Sequence, residues 1–497
     1  MAESDFLDIA KELLSEFGIG LNGHGEDTAL YVFPFTDLGN GERLAAMCGA
    51  NIRYCHAWHV WLLWDGRRWR NDDSGGINRL AALTVRAMFA EASTLISASK
   101  DVTDREEGGR IAEIGEKLSA WARKSEARAR LEAMIALAQS IEGIPVSPIE
   151  LDTDPWLLNC TNGTLNLHTG ELQQHQQSDL ITMLAPVAYE PDARYSPWDD
   201  FLARILPDTD LRSFVQRAIG YSLVGVANEE RLFFAYGPTA TGKSTLLRAV
   251  TSAMGEYSAT ANFGTFLEAN RKGGDASEDL ARLAGKRLVV SIEVEEGSKM
   301  AEAVLLSVTG GETIAARYLH QNTFEFIPQF TLWLAANNRP RISDTNDAVW
   351  RRITQVPFLS QIPEEERDEG LKAVLTDQYV AAPAVFAWAV AGCLAWQTVG
   401  LAVPDVVNTT TQEYRDEVNP LLEFIQDCCA LLPDARTSNT EIWERYNRWA
   451  KDNSVRRPLG KKGFSQRLSM MAEVEALKSG STRFWVGIGL SADEKLL

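Results

Sequence analysis

Residues 237–245 read Gly-Pro-Thr-Ala-Thr-Gly-Lys-Ser-Thr, a G-x-x-x-x-G-K-[ST] spacing. Glycines let a short loop curl, a lysine brings one ammonium to the curl, and the next hydroxyl is a hard oxygen ligand. That set suits a chain of phosphates: main-chain N–H groups cradle it, Lys243 reaches its outer oxygens, and Ser244 ligates magnesium. The nucleoside triphosphate site is therefore expected at Gly237, Pro238, Thr239, Ala240, Thr241, Gly242, Lys243, Ser244 and Thr245. Hydrolysis also needs carboxylates near the metal and the attacking water, and about fifty residues on stand Glu293, Glu295 and Glu296. We expect Glu293 on the metal side. Either Glu295 or Glu296 could polarise water; their order stays open. Asn337 is the candidate sensor of the outermost phosphate, and Arg351 and Arg352 are candidates to reach the nucleotide of a neighbouring copy.

Three strands must position these groups. Arg231–Tyr236 is an apolar run before the loop, and a helix is expected from the loop through Leu246–Val250. Four of the five residues from Leu288 to Ile292 are apolar, as in a buried parallel strand, and the acids begin where it would end. Phe330–Asn337 is a third apolar run, stopped by Pro340. An acidic turn or an Asn turn after a core strand would leave the same residues; the loop upstream favours the chemical reading.

The chain has 497 residues, enough for about three domains. A net charge of −19 excludes a uniformly basic surface, yet residues 445–467 run the other way. There Arg445, Arg448, Lys451, Arg456, Arg457, Lys461, Lys462 and Arg467 oppose only Asp452. Six cysteines without framework spacing suit a reducing compartment, and Cys48, Cys55, His56 and His59 match no standard zinc pattern. The start is acidic, unlike a secretory signal. The alanine-rich run Tyr379–Trp396 contains Pro383 and is expected as a buried helix, with no membrane partner. Asp65-Gly66 and Thr169-Gly170 mark hairpin turns, residues 77–141 are patterned as helices, and the region from Leu421 is patterned as three helices followed by a strand at Arg483–Ile488.

Taken together, "GPTATGKST", "LARLAGKRLVVSIEVEEG", "LLSVTGGETIAARYLHQNTFEFIPQFTLWLAANNRPRI" and "AVWRRI" resemble superfamily 3 helicases, and more closely the phage and plasmid primase–helicase family of the phage P4 and poxvirus D5 type. "TDLGNGERLA", "WDGRRW" and "NGTLNLHTGEL" resemble the domain that precedes the helicase in that family, and "RFWVGIGL" its C-terminal winged helix. The resemblance implies an α/β fold with an AAA+-like, P-loop superfamily 3 ATPase core at 201–385. An α+β N-terminal domain would occupy 1–200, and a helical connector with a winged helix 386–497. It implies ATP and Mg2+ as cofactors, Ser244 and Glu293 as metal-side residues, and a homo-oligomeric ring, usually hexameric, that translocates 3′-to-5′ on single-stranded DNA and opens forks. It also implies a channel hairpin at 313–327, with Arg317, His320 and Gln321 as DNA contacts; Arg456, Arg457, Lys461 and Lys462 are candidates in the basic tail. A bacterial cytoplasm follows from that kinship. Of the two arginines, Arg352 is preferred as the finger, because Arg351 adjoins Trp350 and could pack on its ring.

The sequence departs from the family at Ser307 and Gln321, where lysines are frequent, and at Ala336 and Asn338 around the sensor. Only about 35 residues precede the matching region, so a helicase without its own primase is expected, with a separate primase as a candidate partner. The rival readings are an ATP-switched initiator or loader that does not unwind processively, and a motor whose substrate is not DNA.

Overall fold

The computed structural model describes residues 29–268, 277–292, 299–317, 323–342, 347–417, 420–453, 455, 458–471, 473–479 and 482–491. The chain divides into two compact units, one running to Ala193 with Ala253–Tyr257, the other comprising Arg194–Ser252 and Ser258 onward. The expected boundary at 200/201 falls inside helix Ser196–Ile205, and that at 385/386 inside helix Ala382–Val399.

In the first unit, helix α1 (Asp37–Cys48) leads to strands β1 (Ile52–Cys55), β2 (Val60–Trp64) and β3 (Trp69–Asn71), an antiparallel sheet. The Asp65-Gly66 turn forms as the sequence predicts: Asp65 Oδ1 accepts from the N–H groups of Arg67 and Arg68, and Gly66 has φ 91°. Helices α2 (Gly76–Ala98), α3 (Arg105–Ser125) and α4 (Arg128–Ala138) bury Leu80, Val85, Met88, Leu118 and Met134 in one cluster with Leu44 and Ile52. Strands β4 (Leu157–Cys160), β5 (Gly163–Asn166) and β6 (Glu171–Gln173) make a second antiparallel sheet around the predicted turn at Thr169-Gly170. His56 Nε2 lies 3.1 Å from the Gln139 carbonyl, and Cys48 and Cys55 are buried.

The second unit opens with α5 (Ser196–Ile205) and α6 (Thr209–Tyr221), then β7 (Leu232–Tyr236), α7 (Lys243–Met254) and β8 (Ser258–Thr260). After α8 (Ser277–Ala281) come β9 (Leu288–Ile292), α9 (Glu302–Thr309), the hairpin β10 (Ile314–Ala316) and β11 (Phe324–Phe326), β12 (Thr331–Ala336), α10 (Asp347–Trp350) and β13 (Ile353–Pro357). The sheet order is β13-β7-β12-β9-β8, every pair parallel. Helices cover a parallel sheet on both faces, which is why its inner strands β7, β9 and β12 are mainly apolar: all six residues of β12 are buried.

Helices α11 (Glu369–Leu375), α12 (Ala382–Val399) and α13 (Asp405–Glu417) follow. Helix α12 is long and apolar enough to cross a bilayer, as α2 is, but it buries Val385, Phe386, Val390 and Cys393 within the protein. It packs on α6 through glycine: a Cβ on Gly392 would meet the Gln216 carbonyl oxygen at 2.1 Å, and one on Gly220 the Cys393 nitrogen at 2.0 Å.

A separate core begins with α14 (Pro420–Cys428), followed by β14 (Cys429–Ser438), α15 (Asn439–Asp452), α16 (Lys461–Leu468), β15 (Glu475–Ser479) and β16 (Thr482–Leu490). The predicted succession of three helices and a strand is corrected here. Two further strands, β14 and β15, flank β16 in an antiparallel sheet. Strand β14 carries Pro433 where its register to β16 shifts between Leu431 and Arg436, so proline sits in a bulge rather than ending the strand. Tyr446 and Trp449 are buried, and Trp443 lies 5.3 Å from the Phe464 ring, so these aromatics form the core face of α15.

Candidate nucleotide-binding site

The register of the parallel sheet brings the relevant strand ends to one edge. Tyr236, the last residue of β7, lies opposite Ala336 of β12 and Pro357 of β13, while Ile292 of β9 lies opposite Ala335. The glycine loop, Asn337 and the end of β9 thus leave the sheet on the same side, the usual place for a ligand in open α/β sheets. The expected carboxylates Glu293, Glu295 and Glu296 lie outside the described residues.

The loop turns from β7 into α7. Gly242 has φ 79°, and a Cβ there would meet Ile205 Cγ2 at 2.4 Å, so both backbone and space require glycine. Ala240 also takes a positive φ, 60°. The chain after β13 braces this geometry: Phe358 N–H donates to the Tyr236 carbonyl (2.7 Å) and Ile362 N–H to the Ala240 carbonyl (2.8 Å). Gln361 Nε2 adds a bond to the Thr239 carbonyl at 3.2 Å.

Lys243, the first residue of α7, is 6% exposed. Its ammonium donates to the carbonyls of Gly237 (2.8 Å) and Pro238 (2.7 Å) and to Thr241 Oγ1 (2.9 Å). No carboxylate is among these partners, and burial pushes its pKa down to about 8. The first helical bond runs from Leu246 N–H to the Gly242 carbonyl, which leaves the N–H groups of Lys243, Ser244 and Thr245 outside the helix ladder. A buried cation and a helix N-terminus in one loop fit a phosphate group. Ser244 is half-buried in the first turn.

Asn337 and Asn338 are exposed just past β12. Arg351 and Arg352 lie at the other end of the sheet. The Arg352 carbonyl accepts from Leu232 N–H at the start of β7, so about 13 Å of strand separates it from the loop. The guanidinium of Arg352 contacts Glu230 at 3.1 Å and donates to the Ala348 carbonyl at 3.2 Å, whereas Arg351 is exposed. Arg317 is exposed at the end of β10; His320, Gln321, Arg456 and Arg457 lie outside the described residues. Lys461 and Lys462 are exposed at the start of α16.

Sequence reasoning assigned no role to Arg339, two residues past Asn337. Its guanidinium is 4.6 Å from the Tyr236 ring centroid, donates to Gln355 Oε1 at 3.1 Å and pairs with Glu417. A lone arginine before a proline carries no spacing signal, and its partners stand far along the chain.

Three family profiles match the chain in order: D5 N terminal like over residues 41–207, a family of unknown function over 235–352, and poxvirus D5 protein-like over 416–487. The chain carries domains of the D5 type at residues 41–207 and 416–487. The chain is 26% identical over 329 residues to "Putative helicase L207/L206" of Acanthamoeba polyphaga mimivirus, covering 61% of this chain and 34% of the relative. It is 27% identical over 282 residues to "Putative helicase 022R" of Frog virus 3, covering 52% and 29%. "Putative primase C962R" of African swine fever virus (isolate Tick/Malawi/Lil 20-1/1983) is 22% identical over 326 residues, covering 61% and 34%. The chain thus spans about a third of the length of these curated relatives. Among solved structures, the apo C-terminal region of NrS-1 aligns with a TM-score of 0.46 at 10% identity, over 88% of this chain and 96% of that one.

Proposed function

We propose that this chain is the motor of a replicative DNA helicase, which binds ATP with Mg2+ and hydrolyses it to move along single-stranded DNA and open forks. The observation that carries this reading is the two-edged sheet. Lys243 and Asn337 stand at one edge and Arg351 with Arg352 at the other. A single copy cannot bring its own arginines to its own loop, so the arrangement suits a homo-oligomeric ring, hexameric on the family's pattern, with ATP held between copies. Arg351 is the better finger, since Arg352 is already engaged by Glu230 and the Ala348 carbonyl.

In this reading the loop is the P-loop of an AAA+-like superfamily 3 core. Its N–H groups and Lys243 hold the phosphates, Asn337 senses the outermost one, and Arg351 offsets charge developing there. Ser244 and Glu293 would hold magnesium, whose chemistry is to neutralise and orient the phosphate oxygens. The β10–β11 hairpin, with Arg317 at the end of β10, contacts the translocating strand, 3′-to-5′; His320 and Gln321 are further candidate contacts. The helix-strand-helix-helix-strand-strand order of residues 420–490 suits a winged helix that holds duplex DNA through Arg456, Arg457, Lys461 and Lys462. The setting is the cytoplasm of a bacterium carrying a phage, prophage or plasmid, with a separate primase as partner.

The test is ATPase activity with and without single-stranded DNA, beside unwinding of a forked duplex. Lys243→Ala should lower turnover on the order of 100-fold or more by removing charge stabilisation of the transferring phosphate. Wild-type turnover in that variant would refute the site. Stimulation by DNA without unwinding would replace the helicase with an ATP-switched loader.

A further inference from the structure

The strand that carries Asn337 does not simply end. Two residues on, Arg339 is 14% exposed and collects partners from three other elements. Its guanidinium carbon lies 4.6 Å from the ring centroid of Tyr236 of β7 and 5.4 Å from that of Tyr414 of α13. Its Nε donates to Gln355 Oε1 of β13 at 3.1 Å, and a terminal nitrogen pairs with Glu417, the last residue of α13. Gln355 is itself fully buried and tied to α13: its N–H donates to Thr411 Oγ1 (3.0 Å) and its Nε2 to the Thr410 carbonyl (3.3 Å). Tyr414 donates its hydroxyl to the Pro340 carbonyl, so α13 also grips the chain one residue past Arg339. On the same helix, Arg415 pairs with Asp347, which opens the short helix preceding Arg351.

One helix therefore holds the chain after the sensor strand and the helix before the exposed arginine. It ends at Glu417, three residues before α14, the first element of the C-terminal core. Tyr236, one of the guanidinium's two aromatic neighbours, directly precedes Gly237 of the loop. We propose that Arg339 is a positioning residue that fixes Asn337 against the loop and, through Glu417 and α13, ties nucleotide occupancy to DNA held by the C-terminal core; this rests on the ATPase reading above. A movement of Asn337 toward a phosphate has at most about 7 Å of chain before it reaches Arg339. The planar guanidinium, set against two rings and bonded to Gln355 and Glu417, transmits that movement rather than absorbing it.

The experiment compares wild type with Arg339→Gln, Glu417→Gln, Glu417→Asp and the Arg339/Glu417 double glutamine variant. Two quantities are read: the Kd of a fluorescent non-hydrolysable ATP analogue, and the ratio of forked-DNA affinities with and without saturating analogue. Couplings between sites typically amount to 5- to 150-fold. The expected result is a wild-type ratio in about that range, falling to within twofold of one in Arg339→Gln and Glu417→Gln, with analogue Kd within about threefold of wild type. Glu417→Asp should recover part of the ratio, and the double variant should be no worse than either single one. Glu417→Gln serves even if Arg339→Gln misfolds, because Glu417 is 60% exposed. A wild-type ratio of one, or variants that keep the wild-type ratio, would overturn the proposal. Failure of wild type to bind the analogue at all would instead overturn the nucleotide-site reading.

Discussion

Lys243 gives nucleotide binding a pH dependence whose sign and size follow from the loop. Buried among two carbonyls and a hydroxyl, its ammonium has a pKa of about 8 where the ordinary value is 10.5. Between those values the unfolded chain holds a proton that the folded one has lost, so without nucleotide, stability gains with rising pH across that window. Polyphosphate reverses the preference, because negative oxygens favour the charged amine. Binding above pH 8 must then take up a proton. The apparent Kd scales as one plus ten to the power of pH minus pKa: about 1.1-fold at pH 7, about 2-fold at pH 8 and roughly 11-fold at pH 9. Fluorescence anisotropy of a labelled ATP analogue from pH 7 to 9.5, at fixed free magnesium and ionic strength, should give an association constant whose logarithm falls with a slope approaching −1. Calorimetry at pH 8.5 in buffers of different ionisation enthalpy should show the matching uptake. Lys243→Met should bind more weakly at pH 7 and show no such slope. Flat wild-type affinity from pH 7 to 9, or the same slope in Lys243→Met, would refute the assignment of this amine to the phosphates.

Other expectations are independent of that titration. Gly242→Ala puts a Cβ 2.4 Å from Ile205 Cγ2 at φ 79°, so analogue affinity should drop about tenfold or more; unchanged binding would mean the loop can be rebuilt. Mixing Lys243→Ala with Arg351→Ala protein should restore part of the DNA-stimulated ATPase that each lacks alone, while mixing with Arg352→Ala should restore less. No recovery with either, once subunit exchange is verified, would argue against shared sites. Gly392→Ala should lower stability by about 1–3 kcal/mol, read as a lower Tm, because α6 must retreat from α12. Removing Lys461 and Lys462 should weaken duplex binding and reduce its salt slope by about one per lost phosphate contact; an unchanged slope would take α16 off the DNA.

The sequence exposes those parts of this protein whose physics is local. The glycine loop is legible because positive φ, an ammonium and a hydroxyl must fall at fixed offsets. Strands β7, β9 and β12 are legible because burial on both faces demands unbroken apolar runs with polar groups only at their ends. The Asp65-Gly66 and Thr169-Gly170 turns follow from equally short-range rules. What stayed hidden depends on partners distant in the chain. Strand β14 was lost behind Pro433, which only a bulge against β16 accommodates. The engagement of Arg352 depends on Glu230, and the setting of Arg339 on Tyr236, Gln355, Tyr414 and Glu417; none stands at a periodic offset from its partner. Arg351 and Arg352 are adjacent and chemically identical, so only the fold could tell the engaged arginine from the exposed one.

The brace on the glycine loop has an evolutionary consequence. Two of its bonds, Phe358 N–H to the Tyr236 carbonyl and Ile362 N–H to the Ala240 carbonyl, join amide to amide. Every residue except proline carries that N–H, and all carry the carbonyl. Outside Phe358, which is buried, and Gln361, whose side-chain amide also holds the loop, positions 359, 360 and 362 are therefore free to drift in side-chain identity between lineages, so long as the segment's length is kept and proline stays out of positions 358 and 362. An insertion or deletion there should be selected against more strongly than most substitutions, leaving a constraint visible as conserved spacing rather than as conserved letters.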